Sequence, residues 1–306
     1  MLNQLGVAYD SEQGTMMIEK VMEYITNASY QASSFIAKEK GASSIFDEEA
    51  YMECPFVKEA LSEQTHNMIR KNGLRNIAIM SIAPTGSISN IVLGYKSEEK
   101  NYIGVSGGVE PIFSTFYTRR SESFGNKMFK VFHSTIQAYI DKMGIQEDID
   151  KAEDVDEVLP EFLTRTAHKI DSVKRVGVQG VIQRYIDHSI SSTINLPEDV
   201  EPETISDIYI KAWKNKLKGV TIYRDGSRFP ILSVENKMTE FQEMKNKSFS
   251  IMQENGETID MAGDDIFKRP DGKLTTMYHH LKKMKTKSED ESTTTETVAT
   301  TEEAKV

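Results

Sequence analysis

Three short apolar runs without a helical period set the terms for this chain. Residues 76–83 read NIAIMSIA, residues 188–197 read HSISSTINLP, and residues 219–227 read GVTIYRDGS. Each has the length of a strand, and NIAIMSIA has the near-continuous apolar character of a strand buried on both faces, as in parallel sheets. Between the runs, apolar residues recur at three- and four-residue spacing. That pattern predicts helices over 126–143, 171–185 and 203–218. Strands alternating with helices over such distances specify an α/β fold with parallel strands. Upstream, Ile18, Val21, Met22, Ile25, Ala28, Ala32, Phe35 and Ile36 fall on one face of a helix over 15–40. Gly41, following Lys38 and Lys40, closes that helix. A shorter helix is expected over 57–71, stopping near Asn72-Gly73.

Beyond Pro230 the periodicity fades. Residues 285–306 are almost all Lys, Glu, Ser and Thr, too little apolar area to offset the entropy of ordering, so a disordered polar C-terminal tail is expected there. The expected divisions are 1–232, a weakly structured extension over 233–284, and the tail over 285–306. The chain has 306 residues and a formal net charge of −10, which argues against broad contact with a nucleic acid backbone. No apolar run approaches the roughly 18–20 residues of a membrane span, and the first residues do not read as a secretory leader. A cytoplasmic location is the expectation. A single cysteine, Cys54, allows neither an intrachain disulfide nor a cysteine-rich zinc site.

The most informative local feature follows the first apolar run: SIAPTGSISN, residues 81–90. Backbone amides freed at a glycine-containing turn can converge on one anion, and Thr85, Ser87 and Ser89 add hydroxyl donors. Gly86 would let a ligand approach the backbone. This is a phosphate cradle at the carboxyl end of a strand, where α/β folds place ligands. The same residues also make a hydroxyl-rich turn capping a short helix, and the residues alone favour that plainer arrangement. GVSGGVEPIFSTFYTRR, residues 104–120, brings Gly104, Gly107 and Gly108, the Glu110-Pro111 turn, and the positive pair Arg119-Arg120. His188 has no second histidine at ligand spacing, so a structural hydrogen-bonding role is expected of it. The adjacent His279-His280 point apart on a helix and make a poor metal site. Tyr223 reads as a packed tyrosine rather than a radical carrier, and Cys54 as a buried, inert thiol.

Taken in order, NIAIMSIAPTGSIS, SGGVEPIFSTFYTRR, YIDHSISSTINLPED and AWKNKLKGVTIYRDGSR resemble the C-terminal half of class II, adenosylcobalamin-dependent ribonucleotide reductases. The similarity runs over residues 5–232. It implies the reductase fold, a ten-stranded α/β barrel made of two antiparallel halves, of which this chain would supply the second. It also implies that Pro84, Thr85, Gly86, Ser87 and Ile88 bind the phosphates of a ribonucleotide substrate, which moves the phosphate-cradle reading ahead of the capped turn. The loop over 107–111 would lie close to the same pocket.

The resemblance extends to class. Di-iron-dependent reductases relay a radical through two adjacent tyrosines, and here the matching residues are Ile222-Tyr223-Arg224. Without that pair, a radical generated beside the active site by adenosylcobalamin is the expectation. The family's Asn-x-Cys-x-Glu finger loop, whose cysteine becomes a thiyl radical, and its redox cysteines lie upstream of the matched region, and Cys54 matches none of them. No catalytic residue and no metal ligand is therefore expected here. The implied partners are a ribonucleotide, an N-terminal half carrying the finger loop, and a thioredoxin-like or other thiol reductant. The alternative is a non-catalytic remnant or interaction protein that keeps the half-barrel.

Overall fold

The computed structural model describes residues 1–85, 88–90, 92–97, 100–104, 108–121, 127–227, 240–252 and 258–290. They fall into two units: Met1–Asn195 with Lys211–Tyr223, and Leu196–Ile210 with the described residues from Arg224 onward.

The first unit opens with a long helix, α1 (Glu12–Lys40), started by Ser11, whose side chain accepts the Gly14 amide. Three short helices follow, α2 (Glu48–Met52), α3 (Pro55–Ala60) and α4 (Glu63–Asn72). Two hairpins come next, β1 (Leu93–Ser97) with β2 (Lys100–Ile103), and β3 (Phe116–Ser121) with β4 (Lys127–Phe132). Then come α5 (Ser134–Met143), α6 (Gln146–Lys151), α7 (Glu161–Thr164), α8 (Ser172–Gln183) and β5 (Thr193–Leu196). Helix α9 (Pro202–Lys214) divides between the two units, most of it in the second, and β6 (Thr221–Arg224) follows.

Three strand segments run parallel, as the apolar runs predict. Ile82 bridges Ile190 in parallel, flanked by the His188 amide to the Met80 carbonyl at 3.0 Å and the Ser191 amide to the Ile82 carbonyl at 2.9 Å. The β5–β6 pair begins where the Thr221 amide meets the Ser192 carbonyl at 3.0 Å. Ile18, Val109, Val178, Ile182, Ile186 and Ile190 form a buried cluster behind these segments. Coverage of the first segment is partial, however. Ala78, Ser81 and Ala83 are exposed, and Ile77, Ile79, Met80 and Ile82 are half-buried. The expectation of a first strand buried on both faces is therefore not met among the described residues. Met80 and Ile82 pack against the cluster from α1 and α8, and Ile79 and Met80 also meet a second one formed by Tyr30, Val57, Leu61, Ile69 and Leu74.

Other departures have local causes. The helix expected over 126–143 is β4 followed by α5. Phe132 pairs with Phe116 in the hairpin register, ring centroids 5.5 Å apart, and aromatic cross-strand contacts favour the sheet. The single helix expected over 57–71 is broken at Leu61-Ser62, because Asn27 of α1 accepts the Ser62 amide at 2.7 Å and Ser62 then caps α4. The largest difference concerns α1. Its buried face carries Thr26, Asn27, Tyr30, Ser33 and Ser34, each tied by a tertiary hydrogen bond such as Ser34 Oγ to the Met68 carbonyl at 2.8 Å. Ile18 and Met22 pack inward. Ile25, Ala28, Ala32, Phe35 and Ile36 lie on the exposed face instead, with Phe35 54% exposed.

The second unit contains α10 (Glu240–Met244), the antiparallel pairs β7 (Ser248–Met252) with β8 (Thr258–Ala262) and β9 (Ile266–Lys268) with β10 (Leu274–Thr276), and α11 (Met277–Asp290). Phe241, Met277 and Tyr278 are buried at its centre, and Glu198 pairs with Lys245 at 2.6 Å. Helix α11 runs past residue 285, where the polar tail was expected to begin. The rest of that tail lies outside the described residues. Among the described residues, no helix is long and apolar enough to cross a membrane.

Candidate functional site

The strand segment that ends at Ile82 delivers the chain into Pro84 and Thr85. Thr85 takes a positive φ of 44°, a conformation that β-branched residues avoid and that tends to occur where function requires it. Its carbonyl accepts the Ser89 amide at 2.9 Å, so the chain turns tightly into a short 3-10 segment, Ile88–Asn90. Ser89 is buried and Ile88 exposed. Gly86 and Ser87, the central pair of the expected phosphate loop, lie outside the described residues. So do Gly107 and the side chains of Arg119 and Arg120.

The second motif packs directly on the first. Gly108 has φ +58°, and a Cβ placed there would stand 2.8 Å from Ile82 Cγ2 and 3.0 Å from the Ala83 carbonyl oxygen. Only glycine permits this approach. Ile82, Gly104 and Gly108 to Ile112 line a cavity of about 340 Å³, together with Tyr9, His133 and Arg165 among others. His133 caps α5 through Nδ1, which accepts the Thr135 amide at 3.3 Å. Its Nε2 is buried without a hydrogen-bond partner, and burial pushes its pKa down.

A buried charged network joins the second motif to the third. Arg175 of α8 is 3% exposed. It donates to the Val109 carbonyl at 2.7 Å, to Glu110 Oε2 at 2.6 Å, to Ser192 Oγ at 3.0 Å and to the Tyr9 hydroxyl. Glu110 Oε1 accepts the Thr193 amide at 2.8 Å. Tyr9 donates to the Val109 carbonyl at 2.9 Å, and burial raises its pKa although Arg175 pulls it down. A second carboxylate, Asp187, accepts the amides of Ile79 and Met80 at 2.6 and 2.8 Å. It fastens the third motif to the strand that leads into the first.

The remaining candidates are dispersed. His188 is exposed; its backbone carbonyl accepts Gln183 Nε2 at 3.1 Å. Tyr223 is half-buried on β6. Cys54 is exposed, at the start of α3, rather than buried as expected: Pro55 begins the helix and leaves the preceding residue at the surface. His279 is buried, its Nδ1 2.6 Å from Thr276 Oγ1. Among the described residues no cluster of His, Cys, Asp or Glu could hold a metal ion.

The family model of the ribonucleotide reductase barrel domain matches residues 1–223. The chain belongs to the ribonucleotide reductase family. The reductase match takes in the parallel segments up to Tyr223 and both buried networks. Among curated reductases, the chain is 27% identical over 242 residues to a vitamin B12-dependent ribonucleoside-diphosphate reductase of Mycobacterium tuberculosis, covering 74% of this chain and 30% of that protein. It is 29% identical over 241 residues to the protein of the same name from Thermoplasma acidophilum, covering 74% and 27%. Of solved reductases, the Actinobacillus ureae class Id alpha subunit superposes with a TM-score of 0.50 at 20% identity, covering 74% of this chain and 37% of that one. The chain spans less than a third of the length of these curated relatives.

The sequence reading missed Arg175, Glu110 as its partner, and Asp187. Asp187 stands within the quoted YIDHS, and Arg175 interrupts the apolar spacing of a buried helix. Those were the only local signals.

Proposed function

We propose that this chain is a component of an adenosylcobalamin-dependent ribonucleotide reductase, supplying the loop Pro84 to Ile88 that holds the phosphates of a ribonucleotide. The observation that carries the reading is the packing of Gly108 onto Ile82 and Ala83, which sets the SGGVEP motif against the entrance to PTGSIS. The loop begins at the carboxyl end of a parallel segment, where α/β folds bind ligands, and its first turn is strained at Thr85. Thr85 and the backbone amides after it would donate to phosphate oxygens, with Ser87 adding a hydroxyl.

Adenosylcobalamin, when bound, would supply a carbon-centred radical. Tyr223 is followed by Arg224 at the end of β6, so this strand has no adjacent tyrosine pair to relay a radical from another subunit. That fits a radical made locally, as do the names of the relatives. No residue of this chain is assigned to the corrin. The finger-loop cysteine and the redox cysteines would come from further reductase polypeptide, and a thioredoxin-like or other thiol reductant would restore them. The exposed Ala78, Ser81 and Ala83 and the outward apolar face of α1 are surfaces that such polypeptide could cover. The setting would be cytoplasmic.

The test is assembly. The chain combined with a reductase segment carrying the Asn-x-Cys-x-Glu loop should form deoxyribonucleotide only when adenosylcobalamin and a dithiol are present, and the chain by itself should form none. Within that assembly, Gly86→Val should weaken nucleotide binding more than Ser87→Ala. The second change removes one hydrogen bond to a charged group, an effect of roughly ten- to hundredfold. An assembly that binds no nucleotide would favour the non-catalytic reading.

A further inference from the structure

We infer that Arg175 is a positioning residue for the nucleotide site: it fixes the loop over 108–111 against β5 and so holds the surface on which the phosphate loop is built. The inference rests on the phosphate-binding reading above, yet the geometry that supports it is independent of any motif. Arg175 lies outside all four motifs, and it is the residue through which two of them meet. From one buried guanidinium, bonds run to a backbone carbonyl of the second motif (Val109), to its carboxylate (Glu110) and to a hydroxyl of the third (Ser192). Glu110 then takes the Thr193 amide with its other oxygen, so the charge pair is bridged to the sheet backbone as well.

The planar guanidinium has donors pointing in fixed, diverging directions, which a lysine cannot reproduce from a single nitrogen. A buried ion pair is weak as a source of net stability, because desolvation opposes the attraction, but it specifies geometry. What it specifies here is where Val109 and Glu110 sit. Immediately before them, Gly108 is packed against Ile82 and Ala83, one residue short of Pro84. Displacing the 108–111 loop therefore displaces its contact with the strand that launches the phosphate loop. None of these side chains needs to touch substrate for that effect.

The experiment has two arms. In the full chain, hydrogen exchange at the Thr193 and Glu110 amides would be compared between wild type, Arg175→Met, Arg175→Lys and Glu110→Gln. Arg175→Met should speed exchange at Thr193 by at least about tenfold, the loss of a charged hydrogen-bond network, with β3–β4 amides unchanged. Arg175→Lys should lie between. In the assembled reductase, KM for ribonucleotide should rise in the same order while kcat changes little, a split that general destabilisation would not produce. Should Arg175→Met fail to fold, Glu110→Gln, which keeps an acceptor for Thr193 but removes the charge, carries the same test with a smaller shift. Wild-type protection of Thr193 in a folded Arg175 variant would overturn the inference. So would a loosened loop with unchanged KM in an assembly that Gly86→Val impairs, and that result would leave the phosphate-loop reading standing. A KM indifferent to both Arg175 and Gly86 would remove both.

Discussion

Tyr30, in the middle of α1, donates its phenolic hydrogen to the carboxylate of Asp187, 157 positions further along the chain. The same carboxylate receives the amides of Ile79 and Met80, and Lys218 donates to the Asp187 carbonyl. One side chain thus secures α1, the entrance to the first parallel segment and the entrance to the second.

Replacing Asp187 by Ala should cost about 3 kcal/mol or more, since three donors lose a charged acceptor and two of them are backbone amides. Tyr30→Phe, which removes only one donor, should cost about 1.5 kcal/mol. Urea unfolding measures both. A smaller loss for Asp187→Ala than for Tyr30→Phe would show that the amides find other partners.

Tyr51 gives the pH dependence a direction. Its hydroxyl donates to the Ile77 carbonyl at 2.8 Å. Burial pushes its pKa up to about 12; a hydrogen bond with Tyr30 opposes the rise, and the nearby Asp187 charge adds to it. An unfolded tyrosine ionises near 10. Between pH 10 and about 12 the unfolded chain therefore loses a proton that the folded one keeps. The stabilisation is whole below pH 10 and is lost as pH rises through that window. Tyr51→Phe should flatten the alkaline fall in stability and remove one late-titrating phenol from the ultraviolet titration. An unchanged alkaline slope would count against it.

Thr85 is held in backbone strain at φ 44°. Thr85→Gly should relieve it and stabilise the chain by about 1 kcal/mol, near the low end for such strained positions. The same change should weaken nucleotide binding in the assembled reductase about tenfold or more, through loss of the hydroxyl. Thermal unfolding and nucleotide titration would have to move in opposite directions. If they fall together, the strain serves the fold rather than the ligand.

The outward stripe of α1 makes a separate demand. Phe35→Glu should leave the melting temperature of the isolated chain nearly unchanged, because exposed substitutions fall within about 0.5 kcal/mol. The isolated wild-type chain should self-associate in sedimentation through this stripe, and the variant should do so less and assemble poorly with further reductase polypeptide. A variant that assembles normally would show that this face stays in water.

The sequence made the parallel segments legible because runs such as NIAIMSIA carry no helical period and are too short for a buried helix. It also marked where the chain turns, at Pro84 and Gly108. It could not show which face of α1 is buried. Ile25 and Phe35 mark one stripe at helical spacing, whereas Tyr30 and Ser34 mark another whose hydroxyls are satisfied only by partners far along the chain. Residues 127–132 misled for a related reason: Met128, Phe129, Val131 and Phe132 suit either period, and the cross-strand contact with Phe116 decides. Arg175 left only the break it makes in the apolar spacing of its helix. A buried arginine is recognisable only from its acceptors, and these come from three separate stretches of chain.

The parallel pairing of Ile82 with Ile190 has a consequence for how the molecule is made. The carboxylate that secures the first segment lies 108 residues downstream of the amide it binds. During synthesis NIAIMSIA must leave the ribosome and wait for most of the α/β unit before its parallel strand partner exists. The hairpin of β3 and β4, closed locally, can form in the meantime. Sheet closure through distant segments is slow, and apolar strands left unpaired are where aggregation starts. Yield of folded chain should therefore be governed by the interval before residues 187–190 emerge, and slower elongation across the hairpins would lengthen the exposure of that strand rather than help it fold.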